Sequence, residues 1–139
     1  MALLDVNAMV ALAWDSHVHH EAMVDWFQAR QAAGSPWCTC PITESGFVRV
    51  SANARVLPAP VSVADARRVL GALREQPGHR FLPDNVSIND GDVPILFGHR
   101  QITDAHLLVL ARRNQVELVT FDRGIAALAG GSGATVLSG

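Results

Sequence analysis

Asp5, Glu44, Asp104 and Asp122 are carboxylates placed inside or at the edge of apolar stretches, MALLD, CPITESGFV, ITDAHLLVLA and VELVTFD. A carboxylate loses heavily on burial unless a partner compensates it. Four of them in such company point to a shared partner, and a divalent cation is the simplest one. Two unit charges ~4 Å apart repel by about 4 kcal/mol at an effective dielectric near 20. A cluster of three or four would offset much of a domain's roughly 5–15 kcal/mol of stability. Protonation or arginines also relieve such repulsion, but only Arg49, Arg100 and Arg123 lie near these positions in sequence. Hard oxygen ligands suit Mg2+, with Mn2+ as a substitute. One or two such ions can activate a water and neutralise a leaving oxygen, so the chemistry indicated is hydrolysis of a phosphodiester.

Each acid also has a plainer reading. Asp5 and Asp122 suit a turn or a helix cap, and so does Asp104. Glu44 can pair with an arginine such as Arg49. Four unrelated structural acids are harder to sustain together than any one alone.

The elements that must position these acids read as an α/β domain over residues 1–139, with a mainly parallel sheet of four or five strands flanked by helices. Short apolar runs at 2–6, 36–40, 79–83, 116–121 and 134–137 are the expected strands. Helices are expected over 8–14 with Asn7 as cap, over 17–33 ending at Gly34, and from Pro41 to about Ala52. Ser62 is expected to cap a helix with Val63, Ala66, Leu70 and Leu73 on one face, and Thr103 a helix running to about Asn114. A short helix follows at 123–129, and residues 84–102 read as a loop with one short helix. Asp5 and Asp122 then fall at strand C-termini, where open parallel sheets bind ligands. Helical spacing puts Asp104 over Leu107, Leu108 and Ala111 and puts Glu44 with Phe47 and Val48.

Bulk properties narrow the choice. Hydrophobic residues make up 49% and charged residues 17% of the chain, which excludes a disordered one. The formal charge is −2, and setting the four acids aside turns it to +2, so the rest of the surface is mildly basic. All 11 cations are arginines. The lack of lysine excludes Schiff-base chemistry and weakens a third option, a phospho-acceptor regulator, whose acidic pocket commonly uses a lysine. Cys38 and Cys40 are too close for a good disulfide and read as small buried side chains. His17, His19 and His20 look like a metal signature, but their spacing does not bring them to one helical face. His99 and Arg100 read as local loop packing or a phosphate contact, and Arg112 and Arg113 suit a helix C-terminus. Trp14, Trp26 and Trp37 read as core or interface residues. No leader segment or bilayer-length apolar run is evident, so a cytoplasmic location is expected.

The blocks LLDVNAMVALAW, TE at 43–44, RQITDAHLLVLAR at 100–112 and LVTFDRG at 118–124, in this order, resemble the PIN-domain nucleases, and among them the VapC-type toxins of bacterial toxin–antitoxin systems. The resemblance covers essentially the whole chain. It implies a three-layer PIN-like fold and a Mg2+-dependent endoribonuclease, with Asp5, Glu44, Asp104 and Asp122 as catalytic, metal-binding acids. Asn7 matches the polar position two after the first aspartate, and Thr103 the hydroxyl position before the third acid; both would support the site. It further implies a homodimer, a cognate VapB-type antitoxin whose C-terminal segment blocks the acidic cleft, and a tRNA or rRNA substrate cut in a single-stranded loop. A catalytically silent module that keeps the acidic pocket for a protein partner or RNA is the competing reading.

Overall fold

Strands whose residues are apolar at both parities can be buried on both faces, and three of the five strands among the described residues are. β1 (Ala2–Leu4), β2 (Trp37–Thr39) and β4 (Glu117–Thr120) form the buried centre, with β3 (His79–Phe81) and β5 (Ala134–Val136) at the edges. The computed structural model describes residues 1–59, 61–94, 96 and 98–138. Every strand pairing is parallel, in the order β3-β2-β1-β4-β5. Such a sheet needs cover on both faces. Leu3, Cys38 and Leu118 point into one core, and their neighbours Ala2, Leu4, Trp37 and Val119 into the other.

Six α-helices among the described residues supply that cover. α1 (Val6–Ala13), α2 (His20–Ala32), α3 (Pro41–Ser51) and α4 (Val63–Arg74) pack on one side, and α5 (Ile102–Arg113) and α6 (Arg123–Ala129) on the other. The result is the expected three-layer α/β sandwich. None of these helices is long and apolar enough to cross a membrane.

Several boundaries differ from the sequence expectation. Asp5, not Asn7, caps α1: its backbone is extended and its carboxylate accepts from the Val6 amide at 2.7 Å. α2 starts three residues later than expected, after turns at 14–19. Thr103 does not cap α5, because a 3-10 turn at His99–Gln101 runs directly into the helix and leaves no extended residue for a hydroxyl cap. Thr103 sits exposed in the first turn instead. Ser62 does cap α4, accepting from the Asp65 amide, but Val63 is 56% exposed while Ala66, Leu70 and Leu73 face inward. The 84–102 connection is irregular up to that 3-10 turn and is pinned to α5 by Asp84–His106 and by Arg113 with Asp90 and Asp92; positions 95 and 97 lie outside the described residues.

One glycine sets the spacing on the α1–α4 side. A Cβ on Gly46 would lie 2.4 Å from Val6 Cγ2, so α3 can approach the start of α1 only because that position has no side chain. Trp14 reinforces the contact by stacking on Phe47 and donating to Ser51 Oγ at 2.8 Å.

Candidate active site

Strand order reverses between β1 and β4, and the crevice beyond their C-terminal ends is where this topology binds ligands. Asp5 leaves β1 there, and Asp122 follows β4. The two strands stay in register past their formal ends, since the Asp5 amide donates to Val119 O at 2.9 Å. This register sets Asp5 beside Thr120, whose hydroxyl donates to Asp5 Oδ2 at 2.8 Å. Thr120 is completely buried, and its oxygen also accepts from Asn7 Nδ2 (3.2 Å) and from the Asp122 amide (3.0 Å). Asn7 Oδ1 accepts in turn from the Phe121 amide at 3.1 Å. Asn7 and Thr120 thus clamp the ends of β1 and β4 together.

Three of the four sequence-selected acids share this crevice. Burial raises the pKa of Asp5; hydrogen bonds from Thr120 and the Val6 amide pull it back, and the Asp122 charge pushes it up again. Asp104, in the first turn of α5 from the opposite layer, is pushed up to about 6 by burial and by the charges of Asp5 and Asp122. Asp122 is exposed and accepts from the Gly124 amide at 2.8 Å, capping α6. Asp104 thus feels the charges of both Asp5 and Asp122, and Asp5 feels that of Asp122. Their hard oxygen donors are of the kind that suits Mg2+ or Mn2+, although no group of three or more acid, histidine or cysteine side chains among the described residues is arranged to hold a metal ion.

Glu44 is turned elsewhere. Its carboxylate accepts from Arg74 Nη1 with both oxygens, at 2.8 and 2.7 Å, and from Thr39 Oγ1 at 2.6 Å. Arg74, rather than the neighbouring Arg49, is its cation. Because the Thr39 proton goes to Glu44, Thr39 Oγ1 must accept from His79 Nε2 at 2.8 Å, which assigns that tautomer. Burial, then the Arg74 charge, lowers the His79 pKa against a smaller opposing pull from Glu44, so the ring is neutral. The Arg74 guanidinium also lies 4.8 Å from the Phe81 ring centroid.

A PIN-domain family model matches residues 2–131. The chain belongs to the PIN-domain family. It is 64% identical over 129 residues to "Ribonuclease VapC38" of Mycobacterium tuberculosis, covering 93% of this chain and 90% of that protein. It is 44% identical to "Ribonuclease VapC39" (90% and 91% covered) and 39% identical to "Ribonuclease VapC29" (92% and 90% covered), both from the same species. The PIN-domain match spans all four acidic positions.

Within this PIN domain, sequence reasoning missed Thr120, Thr39, Arg74 and His79. A threonine near a strand end carries little signal, because threonine is ordinary in strands. Arg74 stands 30 positions from Glu44 and had none. The histidines near α2 form no metal site. His17 accepts from the His19 amide, His19 stacks on Phe121, and His20 bonds Ala11 O, so all three half-buried rings are engaged locally. Cys38 and Cys40 are free and buried, and burial pushes the Cys38 thiol up to about 12.

Proposed function

We propose that this protein is a divalent-metal-dependent endoribonuclease, the toxin of a toxin–antitoxin pair, acting at the crevice of Asp5, Asp104 and Asp122. The observation that carries this reading is the meeting of three carboxylates from both layers at the reversal of strand order, where the charges of Asp5 and Asp122 raise the proton affinity of Asp104. The names of the similar PIN-domain ribonucleases support RNA as the substrate. A bound Mg2+ or Mn2+ would supply Lewis-acid stabilisation of phosphoryl charge and make a water more acidic. Asp5, Asp104 and Asp122 would hold it, while Glu44 stays paired to Arg74 at the rim of the neighbouring cleft.

The other residues position. Thr120 and Asn7 orient Asp5 and fix the separation of the two strand ends, as partners of a ligating carboxylate commonly do. Thr103 lies exposed next to Asp104 in the chain and lines a cleft with Val6 and Arg49. A tRNA or rRNA loop is the substrate class we infer, with a homodimer as the working assembly and a VapB-type antitoxin as its inhibitor. The alternative, a silent module that binds a partner or RNA through the acidic pocket, is favoured by one observation: Arg74 already neutralises Glu44.

The test uses the full chain freed of any partner, incubated with total RNA. Cleavage is expected with Mg2+ or Mn2+ only, and Asp104→Asn is expected to lower it by roughly a hundredfold or more. Wild-type cleavage that survives excess chelator would overturn the metal-dependent reading.

A further inference from the structure

We propose that the cleft between α3, α4 and the end of β3 seats one nucleotide of the substrate strand, with its base stacked on Phe81 and its phosphate held by Arg49 and Arg67. This deepens the ribonuclease reading and rests on it.

Phe81 is 43% exposed at the end of an edge strand, a placement that core packing does not account for. Arg74 lies over the ring while bonding Glu44, so a single guanidinium fixes the ring and neutralises the carboxylate at the rim of the cleft. That neutralisation matters, because a bare Glu44 would repel a phosphate. The cleft measures about 570 Å3, with Val48 and Leu70 among its apolar lining. This falls within the roughly 300–1,000 Å3 of small-ligand sites. Arg49 and Arg67 also line it, both exposed, and neither has a hydrogen bond or ion pair among the described residues. Arg68 and Arg74, on the same helix, are both paired.

A second cleft, of about 350 Å3, shares Pro41, Ser45 and Arg49 with the first and reaches Thr103, next to Asp104. Arg49 stands where the two meet. A strand laid along α3 past Pro41, Ser45 and Arg49 therefore runs from the side of Thr103 to Arg67 and Phe81. An aromatic face beside unpaired cations is the general equipment for single-stranded nucleic acid, with the cations tracking the backbone and the ring taking a base.

The test measures binding of a fluorescently labelled single-stranded oligoribonucleotide to the full chain in chelator, and Mg2+-dependent cleavage of the same RNA. Phe81→Ala and Arg67→Gln are each expected to raise Kd and KM roughly tenfold, with kcat within about twofold of wild type. Phe81→Trp is expected to restore binding, which a merely structural role would not require. Unchanged Kd and KM in both variants, with cleavage intact, would overturn the nucleotide cleft and leave the ribonuclease reading standing. RNA binding that depends on Phe81 and Arg67 without any cleavage would do the reverse. If the variants bind RNA normally but lose a co-purifying protein, the cleft is a protein-docking surface and the proposal fails.

Discussion

Asp104→Asn is expected to stabilise the protein at neutral pH while removing its activity. Burial, with the charges of Asp5 and Asp122, holds the Asp104 carboxyl at about 6 instead of its ordinary 3.8. A difference of about two pH units corresponds to about 3 kcal/mol. The side chain is only partly buried, so solvent screening reduces this to about 1–2 kcal/mol. The unfolded chain ionises first as pH rises, so the native state holds the extra proton between the two values. Stability attributable to this group therefore falls as pH rises from about 4 to 6, and the penalty is fully present above that range. Asparagine has no charge to lose. The gain should be largest at pH 7.5, shrink to about a third of that at pH 4.5, and vanish at lower pH. For 139 residues the gain at pH 7.5 corresponds to a Tm rise of about 3–8 °C. Thermal melts of both proteins in chelator at the two pH values measure it. A lower Tm for the variant at pH 7.5, or the same gain at both pH values, would refute the electrostatic account of this crevice.

Two further outcomes follow from the packing around it. Thr120→Val removes the hydroxyl that Asp5, Asn7 and Asp122 share; cleavage should fall roughly 10–100-fold and need more Mg2+, and an unchanged Mg2+ titration would contradict that positioning role. Gly46→Ala drives a methyl to 2.4 Å from Val6 Cγ2. Overpacking of about 1–3 kcal/mol exceeds the helix-propensity gain of just under 1 kcal/mol, so Tm should drop, whereas Gly71→Ala, with open space around it, should raise Tm; a rise for both would show that α1 and α3 can separate without cost.

Much of the fold was legible because its signals are local. Among the described residues, the five strands and six α-helices lie where apolar runs, Pro41, Ser62 and Gly34 put them, within a few residues. The misplaced caps have a common cause. Asn7 and Thr103 have good capping chemistry, but a cap needs an extended backbone just before the helix. Asp5 already occupies that place for α1, and a 3-10 turn removes it for α5. Neither fact is visible in residue type. Val63 illustrates the same limit: helical periodicity names a face, but the end of that face can project beyond the layer beneath it.

By itself the sequence determined which side chains carry negative charge into apolar segments and which elements hold them, because strand and helix periodicity act over a few residues. It also carried the family resemblance. Which acids meet was decided only by the tertiary structure. The 3-2-1-4-5 strand order brings Asp5 beside Thr120 across 115 positions of chain and leaves Asp104 facing both Asp5 and Asp122. The packing of α3 on α4 gives Glu44 to Arg74 and turns it from the other three. Such pairings depend on strand order, register and helix packing, and these are set by burial of the whole chain.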